Sequence, residues 1–97
     1  MQSDPEWWKA RGKTAEKAAS DLRNLAFYVE PLQANNHYGD CTEGRSIHDM
    51  FRGVVTTWAT DLKVQAESAQ NLADACFAAA KTLADADHDA ASIITPR

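Results

Sequence analysis

Few residues of this chain belong to the types that bind metals or catalyse reactions. The best grouping joins His88 to Asp85 and Asp89, which share one face if the segment is helical. Three such side chains would hold a metal ion weakly, and a solvated helix face is the simpler interpretation. Asp85, Asp87 and Asp89 also resemble part of a calcium loop, but the central glycine and terminal glutamate of such a loop are missing. We therefore predict no metal site.

The sequence also contains no motif that indicates catalysis or cofactor binding. A thiol nucleophile at Cys41 would need a base and a group that orients this base, and the sequence identifies no such pair. The chain also lacks a phosphate-binding loop and a glycine-rich nucleotide fingerprint. We predict that the protein is not an enzyme and binds no cofactor.

The two cysteines, Cys41 and Cys76, are predicted to stay unpaired within one molecule. If one helix runs from Ser46 past Cys76, its rise of about 1.5 Å per residue separates the cysteines by roughly 45 Å. A disulfide needs Cα atoms within about 7 Å of each other. We expect one loop thiol and one core thiol, and a bridge between two molecules stays open.

Charge and hydropathy argue against two classes of partner. The 97 residues include 10 Lys and Arg against 14 Asp and Glu, a net charge of -4. Without a basic patch the chain is expected to bind nucleic acid poorly. It has no run of about 18 apolar residues, so we expect no membrane span. Residues 1–11 lack the apolar centre of a cleavable signal peptide, so any export would follow another route.

A first helix is predicted from about residue 4 to about residue 30. Ser3 can cap it, Pro5 suits its first turn, and Glu6 takes the capping-box position. Pro31 should end or kink the helix because it lacks a backbone donor. Two heptad series form one apolar stripe along this helix: Trp8, Ala15, Leu22 and Val29, and Ala18, Leu25 and Leu32.

A turn is predicted over about residues 33–43. It is rich in Asn, Asp and Gly, and its motif residues are Tyr38, Gly39 and Gly44. We expect the Tyr38 ring to pack over the loop.

A second, much longer helix is predicted over about residues 42–91, followed by a short tail, residues 92–97. Thr42 or Ser46 can cap it, and Gly53 weakens it by roughly 1 kcal/mol relative to Ala. Its apolar stripe comprises Ile47, Phe51, Val54, Trp58, Leu62, Ala66, Ala69, Leu72, Cys76, Ala79, Leu83, Ala86 and Ala90.

These elements predict an all-α, single-domain protein, residues 1–97, folded as an antiparallel two-helix hairpin that completes a four-helix bundle by dimerisation. A chain this short buries only part of its apolar surface, so a partner is expected on grounds of size. If Trp58 lies in the core, replacing it with Ala should cost about 3 to 5 kcal/mol. The predicted hairpin and dimer interface comprises Trp8, Leu22, Leu25, Val29, Phe51, Trp58, Leu62 and Leu72.

Pairing the helices around the centre of the turn places Val29 near Ile47 and Phe51. It also places Leu22 near Trp58, and Trp8 near Ala69 or Leu72. On this register the second helix overhangs the first from about Cys76 onward, as a contact surface or as a fraying end. Antiparallel packing would also bring four basic residues of the first helix (Lys9, Arg11, Lys13 and Lys17) near four acidic residues of the second (Asp74, Asp85, Asp87 and Asp89). Trp7 packs at the open end or anchors a partner.

One stretch of the chain resembles a known family. The segment from Gly39 to Gly44 (GDCTEG), then Phe51, Trp58 and Leu62, and then an Ala/Leu-rich helix ending in acidic residues, resemble the EspC-like branch of the WXG superfamily. These small helical hairpins are substrates of actinobacterial type VII (ESX) secretion. The resemblance covers most of the chain.

Two family motifs are altered here. Many relatives carry Trp-x-Gly in the turn, where this chain has His37, Tyr38 and Gly39. Relatives also carry a Tyr-x-x-x-Asp/Glu secretion signal, and here Leu83 replaces the Tyr while Asp87 matches the acidic position.

The resemblance implies a non-catalytic hairpin that forms a homo- or heterodimer and is secreted by the type VII machinery without a cleavable signal peptide. Leu83 and Asp87 would be its secretion-signal-like residues. Its partner would be another WXG-type hairpin, the helical N-terminus of a secreted effector, or a second copy. The alternative is a cytoplasmic adaptor or chaperone for an effector, which is not itself exported and which the replaced Tyr favours. A structural homodimer without a secretion role is a third interpretation.

Overall fold

The computed structural model describes residues 4–94 of the chain, with side chains as far as residue 90. These residues form a helix α1, Pro5–Val29, a short 3₁₀ helix, Glu30–Gln33, and a helix α2, Thr42–Ile94. Helix α1 has 25 residues and α2 has 53, and the described part of the chain contains no strand. The predicted all-α class and helical hairpin are confirmed, whereas dimerisation stays a prediction.

By its internal contacts the chain divides into two compact units, which we describe separately. The terminal unit consists of Met1–Ala18 and Ser68–Arg97, and the turn unit is Ala19–Glu67. Each unit contains a stretch of α1 and a stretch of α2.

Asp4 caps helix α1. Its Oδ1 accepts a hydrogen bond from the Glu6 N–H at 2.9 Å, and its carbonyl oxygen accepts from the N–H groups of Trp7 and Trp8 at 3.1 and 3.3 Å. These bonds satisfy donors that a helix N-terminus leaves without partners. Ser3, the predicted cap, lies outside the described residues.

Pro31 ends α1 as predicted. The α-helix stops at Val29, and the chain continues as the 3₁₀ helix that contains Pro31. The Ala34 N–H then donates to the Pro31 carbonyl at 3.0 Å. Proline has no N–H to continue the α-helical ladder, but its carbonyl still accepts.

The turn is held by Asn36 and by two glycines. The Tyr38 N–H donates to Asn36 Oδ1 at 2.9 Å, and Asn36 Nδ2 donates to the Gly39 carbonyl at 2.7 Å. Gly39 has φ of 95°, in the left-handed region that favours glycine. A Cβ at Gly44 would collide with the carbonyl oxygens of Tyr38 and Gly39, so the loop backbone lies directly against the first turn of α2.

Cys41, rather than Thr42 or Ser46, caps α2. The Gly44 N–H donates to Cys41 Sγ at 3.3 Å, and the Arg45 N–H donates to the Cys41 carbonyl at 2.9 Å. Thr42 is already the first helical residue, which leaves the capping position to the residue before it. Both cysteines are free, Cys41 exposed and Cys76 buried, which confirms the predicted loop and core thiols.

The core of the turn unit is built from small and medium side chains. Ala26 and Val29 of α1 pack with Val55, Ala59 and Leu62 of α2, and Leu22 and Phe51 lie at the margin of this cluster. The separation of packed helices depends on the side chains at their contact, so alanines let the two helices approach closely.

The predicted stripe of α1 is half wrong. Ala15 and Val29 are buried and Trp8 and Leu22 are half-buried, but Ala18, Leu25 and Leu32 are exposed. The second series that faces inward is Gly12, Ala19 and Ala26. The prediction preferred large apolar residues, whereas helices in close contact have room only for small ones.

In α2 the beginning of the predicted stripe is displaced by one residue. Ile47, Val54 and Trp58 are exposed, and the residue that follows each of them, His48, Val55 or Ala59, is buried. Successive helical residues point about 100° apart, so this displacement turns the large side chains out of the contact.

The loop also changes the predicted register of the turn unit. The loop of residues 34–41 lies against the beginning of α2. The Tyr38 ring packs over the loop as expected and contacts Phe51, with 6.3 Å between the ring centroids. An extended residue spans more than about 3 Å and a helical one about 1.5 Å, so a short loop covers several helical turns. Val29 therefore belongs to one cluster with Val55 and Ala59, further along α2 than the predicted neighbours Ile47 and Phe51.

The predicted overhang from Cys76 is wrong for the same reason. In the terminal unit Cys76 and Ala80 are buried and Leu83 is half-buried. A Cβ at Gly12 would lie 2.8 Å from Phe77 Cε1, so the Phe77 ring covers Gly12. Only after Leu83 is every residue exposed, from residue 84 to residue 90.

The glycines of α2 provide a test of this loop packing. We expect Gly44→Ala to lower the free energy of unfolding by about 2 kcal/mol, because the new Cβ would displace two loop carbonyls. Gly53→Ala is the matched control. No atom lies within 4 Å of its new Cβ, so it should raise stability by about 0.5 to 1 kcal/mol. Urea unfolding followed by circular dichroism measures both, and equal effects would contradict the packing.

Candidate partner-binding surface

The described residues hold no cluster suited to a metal ion. His37 and Cys41 lie four residues apart in the loop, but no group of three His, Cys, Asp or Glu side chains within residues 4–94 could bind a metal. No helix in this part of the chain is long and apolar enough to cross a membrane.

Among residues 4–90, His48 is the one polar side chain that is buried, and sequence reasoning missed it. It is 6% exposed, and its Nε2 lies 3.2 Å from Arg52 Nη2. A guanidinium can only donate, so Nε2 accepts and the neutral ring carries its proton on Nδ1. Nδ1 is buried without a partner, and such a donor costs about 1 to 3 kcal/mol. His48 weakens the hairpin and offers no reactive atom to solvent.

Among the exposed large apolar side chains of the turn unit, five take the same position relative to the contact between the helices: Leu25 of α1, Leu32 of the 3₁₀ helix, and Ile47, Val54 and Trp58 of α2. Each of the five is between 43% and 67% exposed. Each also stands directly before a residue that is buried or half-buried in the contact between the helices. All five therefore point about 100° away from that contact, in the same rotational sense.

Antiparallel helices place these five side chains on one side of the pair. Seen from one fixed end of the pair, the two antiparallel chains turn in opposite directions, clockwise in one and anticlockwise in the other. In both helices, the residue before a contact residue therefore points to the same side of the pair. The terminal unit shows this arrangement directly: Arg11, Thr14 and Ala18 precede contact residues of α1, Leu72 precedes one of α2, and all four line one cleft. We call the five residues of the turn unit the apolar face. Exposed apolar side chains that share a face make it a candidate contact site.

Helix α2 carries a shallow groove that adjoins the apolar face. Met50, Gly53, Val54, Thr57 and Trp58 line it, with Asp49 and Asp61 at its ends. No atom lies within 4 Å of a Cβ built on Gly53, so this glycine leaves a notch in the helix surface. We call these seven residues the α2 groove.

The terminal unit has a separate cleft around its two tryptophans. The Trp7 and Trp8 rings meet edge to face at 4.8 Å, and the Arg11 guanidinium lies 4.8 Å from the Trp7 ring centroid. Both tryptophans are half-buried, and the open cleft beside them encloses about 570 Å³. The indole rings therefore pack on the hairpin and still present surface to a partner.

The predicted interface residues separate into two groups. Val29 and Leu62 are buried and Trp8, Leu22 and Phe51 are half-buried, so these five hold the hairpin together. Leu25, Trp58 and Leu72 are exposed, and their contact with a partner stays a prediction. Of the predicted signal residues, Leu83 is half-buried and Asp87 is exposed.

Several charged residues that were expected to match between the helices bond within their own helix instead. Lys9 pairs with Glu6 at 3.2 Å, and Lys81 pairs with Asp85 at 2.8 Å. The hydrogen bond to the Asp85 carboxylate, with its charge, raises the pKa of Lys81. Asp74 accepts from Gln70 at 3.1 Å. These side chains bond within their own helix because residues three or four positions apart lie next to each other on its surface.

One ion pair does join the two sides of the turn unit. Lys63 Nζ lies 2.8 Å from Glu30 Oε2. Both side chains are more than half exposed, so solvent screens the pair and it adds little stability.

Comparisons with known proteins give no relative for this chain. No family model matches it, and no curated protein or solved structure matches it either. The resemblance to type VII hairpins therefore stays an expectation from the sequence.

Replacing Trp58 and Leu62 separately tests which residues form the core. We expect Leu62→Ala to cost about 3 kcal/mol, because Leu62 is 6% exposed and its loss opens a cavity. Trp58→Ala should cost about 1 kcal/mol, because the indole is 46% exposed. Urea unfolding of dilute protein measures both without a contribution from association. A larger loss at Trp58 than at Leu62 would contradict the described packing.

Proposed function

We propose that this protein is a non-catalytic helical hairpin of type VII secretion that binds another helical protein and is exported with it. The observation that carries the proposal is the apolar face, which the hairpin leaves to solvent. The sequence resemblance to the EspC-like branch supports the secretion role.

A helical partner suits this face because the face consists of two rows of side chains, one from each helix. Leu25 and Leu32 form one row, and Ile47, Val54 and Trp58 form the other. Two further helices laid on such rows complete a four-helix bundle. The partner would supply the second apolar layer that two helices cannot provide for themselves.

The energetics indicate that the apolar face is not the whole interface. Covering five half-exposed apolar side chains contributes roughly 1 kcal/mol each, since full burial is worth about 1.5 to 3. The five side chains together contribute about 5 kcal/mol. This equals only the lower end of the free-energy cost of association, which is about 4 to 15 kcal/mol. A stable complex would also cover the α2 groove or the cleft beside Trp7 and Trp8.

The end of α2 suits recognition by an export machine. Residues 84–90 are all exposed, including Asp87 of the signal-like pair, so this segment is accessible while the hairpin is folded. Leu83, which replaces the Tyr of the family signal, is half-buried. This burial favours the second candidate function, a cytoplasmic adaptor or chaperone whose exported partner carries the working signal.

Export is tested by immunoblotting culture filtrate and cell pellet of the source organism, with and without its type VII ATPase. We expect the protein in the filtrate only when the ATPase is present, because the family resemblance implies export by the type VII machinery. A cell-lysis marker controls for leakage. Protein confined to the pellet in both strains would move the adaptor to first place.

The apolar face is tested by two matched substitutions on α2. Val54→Asp should abolish export, because it buries a carboxylate against the partner. Val64→Asp is the control: Val64 is also an exposed valine, 57% against 67% for Val54, but it does not belong to the apolar face. Both variants should retain their helicity by circular dichroism. Unchanged export of Val54→Asp would contradict a role for this face.

A further inference from the structure

We propose that the α2 groove binds an apolar helix that carries a basic residue at each end of the contact, and therefore not a second copy of this chain. The inference rests on the proposed function, a hairpin that binds a helical partner. It adds the charge and the shape of that partner.

The floor of the groove is apolar and notched. Met50, Val54 and Trp58 supply its apolar surface, and each is at least 46% exposed. Gly53 lies among them, with open space where a Cβ would stand. A large side chain of a facing helix fits such a notch, because packed helices insert ridges into grooves.

Two carboxylates flank this floor. Asp49 and Asp61 lie at its ends, twelve residues apart in sequence, which is roughly 18 Å along the helix axis. They point about 120° apart around the axis, so a helix lying in the groove passes between them. Across residues 4–94 neither carboxylate makes a hydrogen bond or an ion pair within the chain. A partner with Lys or Arg near both would satisfy them.

The lining contains no cation that could meet these carboxylates in a second copy. A symmetric dimer through the groove would place four carboxylates at one contact, because each copy presents the same patch. Of the three basic residues of α2 in this unit, Arg52 bonds to His48 and Lys63 to Glu30, and Arg45 lies outside the lining of the groove. The chain as a whole carries a net charge of -4. Like charges brought together disfavour self-association, and opposite charges select a basic-flanked partner.

Two synthetic helical peptides test this assignment on the full-length protein. Both carry the same Leu/Ala stripe, and they differ only at two flanking positions twelve residues apart, Lys in one and Glu in the other. Isothermal titration calorimetry should show the Lys peptide binding about fivefold tighter or more at low ionic strength, the effect of two exposed charge pairs. The difference should shrink in about 0.5 M NaCl.

Variants of the protein make the test reciprocal. The double variant Asp49→Lys/Asp61→Lys should reverse the preference and bind the Glu peptide more tightly. Gly53→Leu should weaken both peptides equally by filling the notch, and the uncharged substitution Val64→Thr, outside the groove lining, should leave both unchanged. Retained helicity shows that each variant is folded. Equal affinity of the wild-type protein for the two peptides would overturn the proposal.

Analytical ultracentrifugation of the protein alone tests whether a second copy of the chain occupies the groove instead. We expect no concentration-dependent association that Gly53→Leu removes, a substitution in the groove but outside the apolar face. Association that this substitution abolishes would assign the groove to a second copy and overturn the proposal.

The two proposals fail in different experiments. Preference for the Lys peptide together with a protein confined to the pellet would keep the groove assignment and remove the export role. Export that depends on Val54 without any peptide preference would keep the proposed function and remove the charge assignment.

Discussion

The close contact of the two helices through small residues is the constraint on which the rest of this structure depends. Ala26 meets Ala59 in one cluster of the turn unit, and Gly12 receives the Phe77 ring in the terminal unit. Small side chains at a helix contact shorten the distance between axes. Beside the alanines of the turn unit, the bulky neighbours Leu25 and Trp58 turn outward.

This arrangement limits the stability of the hairpin. Among the described residues, no large side chain is fully buried, and the buried residues are mostly alanines. Buried apolar area sets most of the hydrophobic contribution, so an alanine contact stabilises weakly. His48 lowers the stability further with its buried, unpartnered Nδ1. The core of this hairpin therefore contributes only modest hydrophobic stabilisation.

The turn shows how a few backbone contacts set the geometry of the whole turn unit. Cys41 caps α2, Gly39 adopts a left-handed conformation, and Gly44 allows the loop to lie on the first helical turn. The loop therefore covers the beginning of α2, and α1 meets α2 further along the chain than a tight turn would allow. The apolar face owes its composition to this register, because the register decides which residues of α2 meet Ala26 and Val29.

The sequence by itself determined the helices, their approximate ends and the absence of strands. Heptad spacing, Pro31 and the glycine-rich turn are local signals, and helix formation follows from local propensity and periodicity. The sequence also identified Trp8, Leu22, Val29, Phe51 and Leu62 as residues that pack in the hairpin. It could not decide between Leu25 and Ala26, or between Trp58 and Ala59, because both neighbours fit a heptad pattern. Only the tertiary structure decided this, since it places the smaller residue of each pair in the contact between the helices and leaves the larger one exposed to solvent.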